Sequence, residues 1–149
     1  MAAKLLTASE KTQGSPVGVT NFSYSELEYY DRIPKEYMEN AEILLQNLQK
    51  IRDAVGKPLK IISGYRSLER QMQVNPSAPK SKHLTAEAAD ISPPTGMNAS
   101  QLHKIISDLI EKKIIINGGV GLYIKDNFVH YDVRRDASGK GTPARWQGN

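Results

Sequence analysis

Ser81-Lys82-His83-Leu84-Thr85-Ala86-Glu87-Ala88-Ala89-Asp90 sets a histidine and an aspartate seven positions apart among small residues. The chain has three histidines, and a second stands in Phe128-Val129-His130-Tyr131-Asp132-Val133-Arg134. Two imidazoles and a carboxylate can hold one zinc and leave a fourth position for water. Zinc held this way favours hydrolysis of an amide or ester, helped by a base near the water. On this reading the rest of the chain is a scaffold that brings the two stretches together. The competing reading is bland. Two histidines and an aspartate occur by chance in most chains of this length, as a polar cleft or as satisfied surface groups.

Residues 84–92 read as a strand in which Ala86, Ala88 and Asp90 alternate with Glu87, Ala89 and Ile91. Upstream, residues 59–64 read as a short strand that runs into Gly64-Tyr65-Arg66-Ser67. A glycine at a strand end permits a tight turn and a close approach. Arg66 then stands at the rim of the sheet. It is the candidate to hold a substrate carbonyl or carboxylate, although a surface arginine in a turn is the commoner case. Ser67 is placed to cap a short helix ending near Val74, and residues 75–82 read as a loop.

Residues 35–55 carry Met38, Ala41, Leu44, Leu45, Leu48, Ile51, Arg52 and Val55 at helical spacing, and Gly56 and Pro58 stop the run. Ser23 with Glu26 has capping-box spacing for a short helix ending before Pro34. Asn98 or Ser100 caps another helix to about Lys113, with Leu102, Ile105, Ile106, Leu109 and Ile110 on one face. His103 on that helix falls on the solvent side and is not counted as a ligand. Residues 120–124 and 128–134 form a hairpin around Lys125-Asp126-Asn127. Strand alternation sends Val129, Tyr131 and Val133 to the core. It puts Phe128, His130, Asp132 and Arg134 on the other face. Residues 135–149 read as a tail rich in glycine and charge.

The 149 residues, 39% hydrophobic and 24% charged, suit one soluble domain with one core. Residues 1–20 are expected as an irregular arm and 21–149 as the domain. A net charge of +4 suits an anionic partner such as cell-wall polymer and is too diffuse to argue for nucleic acid. The lack of cysteine excludes disulfides and thiolate sites, so a metal must be held by His, Asp or Glu. No apolar run is long enough to cross a bilayer, and Met1 to Leu6 do not read as a secretory signal. Synthesis in the cytoplasm is therefore expected, with release by another factor if the protein acts outside. A monomer is expected.

Ser63-Gly64-Tyr65-Arg66-Ser67, Ser81-x-His83 with Ala88-x-Asp90, Gly118-Gly119-x-Gly121-x-Tyr123, Phe128-Val129-His130-x-Asp132-x-Arg134 and Arg145-Trp146 follow one another in order. Together they resemble the zinc D-Ala-D-Ala carboxypeptidase family, from about residue 20 to the end. The resemblance implies a small α+β fold, a mostly antiparallel central sheet flanked by helices. That fold is shared with vancomycin-resistance dipeptidases, certain phage endolysins and the Hedgehog signalling domain. It implies zinc on His83, Asp90 and His130, with Arg66, Ser81 and Tyr123 on the substrate side. The implied substrate is bacterial peptidoglycan, cut at an amide bond of a stem peptide or cross-link. A phage lysin acting on the wall after release fits this reading. A non-catalytic zinc-containing binding domain of the same fold is the alternative.

The chain departs from the family pattern at two positions. The usual glycine of the first motif is Ala86. Several relatives carry Glu or Asp as the base three positions before the second zinc histidine, where this chain has Asn127. Asp132 is then the first choice for the base, because it shares a strand face with His130. Asp126 and Glu87 come after it.

Overall fold

Met38–Val55 forms the long helix α1, entered through a 3-10 turn at Lys35–Tyr37. Ala41, Leu44, Leu45, Leu48 and Ile51 recur at helical spacing and are all buried. Gly56 ends the helix in the left-handed conformation at φ 74°, and its N–H donates to the Arg52 carbonyl at 3.0 Å. The computed structural model describes residues 14–78 and 80–148. Residues 14–20 carry no helix or strand, and the rest of the expected arm, residues 1–13, lies outside the described residues.

Helix α2 is Leu68–Val74, and the Ser67 hydroxyl accepts from the Arg70 N–H at 3.1 Å as its cap. Helix α3 is Ala99–Glu111, and Asn98, not Ser100, is its cap. The Asn98 and Gln101 side chains each accept the other's backbone N–H at 2.9 Å. A 3-10 turn at Tyr24–Leu27 begins where Glu26 accepts from the Ser23 N–H at 3.1 Å.

Five strands form one sheet in the order β1-β2-β4-β3-β5, where β1 is Lys60–Ser63, β2 Ala88–Ser92, β3 Gly119–Tyr123, β4 Phe128–Asp132 and β5 Ala144–Gly148. All neighbours run antiparallel except β3 and β5, which are parallel. The fold is therefore α+β with a mostly antiparallel sheet. One face of the sheet, including Ile61, Ala89, Ile91, Val120, Val129 and Tyr131, meets the Leu and Ile stripes of α1 and α3 in a single core. The Tyr131 hydroxyl, carried into that core, donates to the Ile116 carbonyl at 2.7 Å. The opposite face carries the polar residues.

Two expected elements differ. The strand read over residues 84–92 begins only at Ala88. Before it, Lys82–Thr85 makes a 3-10 turn, started by the Ser81 hydroxyl accepting from the His83 N–H at 3.2 Å. Ala86 follows in the left-handed conformation at φ 59°. His83 thus stands on a turn and Asp90 on a strand. The tail read as irregular contains β5, an edge strand whose alternation is too polar to show in the sequence.

Candidate metal centre

The sheet register builds the site in one row. Ser63 of β1 lies opposite Asp90 of β2, Asp90 opposite His130 of β4, His130 opposite Gly121 of β3, and Gly121 opposite Trp146 of β5. Cross-strand partners stand about 5 Å apart, so Asp90 and His130 meet without any loop to position them. A bulge in β1 between Ile61 and Ser63 brings Ser63 into line. His83 reaches the row from the 3-10 turn beside it.

His83, Asp90 and His130 are all buried, and one ligand atom from each lies within 4.8 Å of the other two. The Asp90 Oδ1 is 3.4 Å from His83 Nε2 and 3.3 Å from His130 Nδ1. Each imidazole has its other nitrogen engaged. His83 Nδ1 lies 2.6 Å from the Gly64 carbonyl, and His130 Nε2 lies 2.7 Å from Asp132 Oδ2. A carbonyl and a carboxylate can only accept, so those two nitrogens carry the protons. The lone pairs of His83 Nε2 and His130 Nδ1 then face Asp90. Two neutral imidazoles oriented by outer acceptors, with one carboxylate oxygen, form a donor set suited to zinc. Gly64 is needed for this geometry: a Cβ there would stand 2.6 Å from backbone atoms of Leu27.

The charges fit the same picture. Burial alone would raise the Asp90 carboxyl, but His83 and His130 hold it well below the ordinary carboxylate range. Burial alone would lower the His130 imidazole, but Asp132 and Asp90 raise it above its ordinary value. A cation in place of the imidazole proton satisfies the same two carboxylates.

Arg66 is buried rather than a surface turn residue. Its Nε and Nη2 donate to the Ser63 hydroxyl at 3.1 and 2.8 Å, Nη1 to Gln71 Oε1 at 2.9 Å, and Nη2 to Asp90 Oδ2 at 3.4 Å. A guanidinium has five N–H groups. Four are engaged, and one on Nη1 is left for the cleft that Arg66 lines.

That cleft measures about 420 Å³ and is also lined by His83, Asp90, His130, Ser81 and Tyr123. The Ser81 and Tyr123 hydroxyls each accept a bond, from the His83 N–H and from Trp146 Nε1 at 2.9 Å respectively. Each keeps its own proton to donate. Tyr123 stacks on Phe128 with centroids 4.4 Å apart, and Trp146 packs at 4.8 Å from the His130 ring. Gly121 makes room for Trp146, because a Cβ there would meet the indole.

The base role expected for Asp132 does not fit. Asp132 is fully buried, and its Oδ1 accepts from the Gly119 N–H at 2.8 Å and from Arg134 N and Nε at 3.1 and 2.8 Å. Its Oδ2 accepts from His130 Nε2 and Arg134 Nη2, both at 2.7 Å. No lone pair is left for a water, and Asp132 does not line the cleft. The second choices fare no better. Asp126 lies on the exposed turn, and Glu87 accepts from the Thr85 hydroxyl at 2.5 Å, off the cleft. Asn127 has a structural role. At φ 57° it closes the hairpin turn, and its Oδ1 accepts from the Ala99 N–H at 2.8 Å at the start of α3. His103 is half-buried on α3 and takes no part in the metal group.

Ser63, Gln71 and Gly64 as supports of the ligands, and Trp146 as a wall of the cleft, are not apparent from the sequence. The Gly118-Gly119-x-Gly121 spacing was the available signal for Trp146, since it marks where a strand leaves room for a neighbour.

The family model for Peptidase M15 matches residues 20–132. The chain belongs to that family, the zinc D-Ala-D-Ala carboxypeptidase family. The family is zinc-dependent, and the membership supports a metallopeptidase. No match was found among curated proteins. Arg134, β5 and Trp146 lie beyond the matched residues.

Proposed function

We propose that the chain is a zinc peptidase that hydrolyses an amide bond in the stem peptides or cross-links of bacterial peptidoglycan. The observation that carries this reading is the convergence of His83 Nε2, Asp90 Oδ1 and His130 Nδ1, with the other nitrogen of each imidazole already hydrogen-bonded. These three residues would hold the zinc. When bound, the metal supplies a Lewis acid and brings the pKa of a coordinated water toward neutrality.

The chain's own residues supply binding and orientation. Gly64 and Asp132 fix the two rings, and Arg66 fixes the second oxygen of Asp90. The remaining Arg66 N–H and the hydroxyl protons of Ser81 and Tyr123 are all donors. They suit a peptide that presents carbonyl and carboxylate oxygens. The stacked Tyr123–Phe128 pair and Trp146 give the aliphatic parts of such a peptide an apolar wall. A lysin that reaches the wall after release from the cell that made it is the setting that goes with this reading.

One observation favours a second reading, a non-catalytic zinc-containing domain that binds cell wall or protein. Among the described residues, Asp90 is the only carboxylate that lines the cleft. Digestion of purified peptidoglycan with and without a chelator, followed by mass spectrometry of the fragments, separates the two readings. Chelator-sensitive release of peptides with new amino and carboxyl ends supports the peptidase and identifies the bond. Retention on the wall without any new ends leaves the binding domain.

A further inference from the structure

We propose that Lys80 and Lys82 form a subsite for a second carboxylate of the substrate, separate from the acceptor oxygen held by Arg66. The proposal rests on the peptidase reading and concerns specificity at the same cleft.

Four cationic side chains line this cleft: Arg66, Lys80, Lys82 and Arg134. Two of them already have anionic partners. Arg66 bonds Asp90, and Arg134 bonds Asp132. Lys80 and Lys82 have no acidic partner among the described residues. Asp90, the one carboxylate on the cleft among the described residues, is also a member of the metal group. With a dication there, Asp90 has no charge left to offer the lysines. Among the described residues, no acidic group then compensates the charge that Lys80 and Lys82 present to the cleft.

Lys82 is held in register with the chemistry. It begins the 3-10 turn that carries His83, and its carbonyl accepts from the Glu87 N–H at 3.1 Å. Its backbone cannot drift relative to the metal ligand next to it. Lys80, two residues earlier, is exposed and also lines the cleft. The cleft is also lined by three aromatic residues, Tyr123, Phe128 and Trp146, the first two stacked on each other. A peptide in the cleft can set its apolar groups on the rings and its acidic groups toward the lysines. A neutral peptide would gain nothing from the lysines. The chemistry points to a peptide with a free carboxylate on the residue beside the scissile amide, as a γ-linked glutamate provides.

The test uses two synthetic stem peptides that differ at one group. The α-carboxyl of the γ-linked glutamate is free in one and a primary amide in the other. Binding is followed by NMR titration of the zinc-loaded full chain with non-hydrolysable isosteres of the two peptides, so that nothing is cut, and turnover is followed with the peptides themselves. The free acid is expected to bind tighter by about threefold to tenfold at low salt, a preference that shrinks as salt is added. Lys80→Ala with Lys82→Ala is expected to abolish the preference, and Lys80→Glu with Lys82→Glu to reverse it. Zinc content of each variant reports whether the fold and metal site survive. Equal binding of both peptides by the parent, binding of neither, or a preference that persists in the double variants overturns the proposal. A preference without cleavage of either peptide would sink the peptidase reading and leave the subsite standing. Cleavage of both at equal KM would do the reverse.

Discussion

Asp132 Oδ2 accepts a hydrogen bond from His130 Nε2 at 2.7 Å, and this contact makes the aspartate a support for the histidine. Its remaining acceptor capacity goes to the Gly119 N–H and to three nitrogens of Arg134. Burial alone would raise the Asp132 carboxyl, and the bonds from Arg134 and His130 hold it well below the ordinary carboxylate range. A carboxylate so placed does not take a proton from water near neutral pH. Asp132→Asn replaces one acceptor oxygen by an NH2 that faces other donors. The expected cost is about 2–3 kcal/mol of stability, read by urea unfolding. Zinc affinity is expected to fall by about 10- to 100-fold, read by competition with a chromogenic chelator. Parent-like zinc affinity would show that the His130 ring does not depend on Asp132.

One zinc per chain is expected in the purified protein. His83→Ala and His130→Ala each remove a ligand whose orientation is fixed from behind, so neither loss can be repaired by a swing of the other ring. Metal analysis should find both variants empty or nearly so. Zinc binds the folded state, so the parent should melt higher than its chelator-treated form, by an amount that grows with free zinc. Full metal retention in either variant would remove that histidine from the site.

Arg66→Lys tests a buried fork. Lysine offers three donors from a single point, where the guanidinium reaches Ser63, Gln71 and Asp90 in different directions. At least one of those acceptors loses its partner. A stability loss of about 1.5–3 kcal/mol is expected together with weaker turnover. Unchanged thermal stability and unchanged turnover would return Arg66 to an ordinary turn arginine.

Ala86 is an alanine held in the left-handed conformation beside the metal group. At φ 59° an alanine costs about 1–2 kcal/mol relative to a right-handed conformation. The methyl is fully buried in the core cluster, where burial is worth about 0.8 kcal/mol. Glycine would also lose about 0.5–1 kcal/mol through its freer unfolded chain. The terms nearly cancel, so Ala86→Gly should change stability by less than about 1 kcal/mol. Ala86→Val adds branching at a left-handed, closely packed position and should cost more than about 3 kcal/mol. Denaturant curves for the two variants check both signs.

Much of this arrangement was legible because period and punctuation agreed. The Leu and Ile stripe of α1, a cap for α3 at Asn98 or Ser100 and the alternation of Val129, Tyr131 and Val133 each follow from local rules, and each is present, the cap falling on Asn98. The grouping of His83 with Asp90 and His130 needed the resemblance, since three scattered residues carry no geometry by themselves. What could not be read was tertiary satisfaction. Strand alternation put Asp132 beside His130, but the sequence does not show that Arg134 and the Gly119 N–H would close over its oxygens. Nor does a polar tail announce that it will pair in parallel with β3 and lay Trp146 against His130.

That last contact gives a direct optical reading of the site. Trp146 is the only tryptophan in the chain. Its ring lies 4.8 Å from His130, with Arg134 at 5.6 Å from the indole centroid. Its indole N–H donates to Tyr123 at 2.9 Å. Indole emission responds to a charge placed against the ring, and metal on His130 changes the charge and the hydrogen bonding of the group it touches. Addition of zinc to the stripped protein should therefore change the emission of Trp146 and saturate at one equivalent. His130→Ala should abolish the response. Gly121→Ala should alter the emission before any metal is added, because a Cβ at that position meets the indole and must push it from the imidazole. If zinc binds with one-to-one stoichiometry and the emission does not move, Trp146 does not pack against a metal ligand in solution, and the aromatic wall must be redrawn without it.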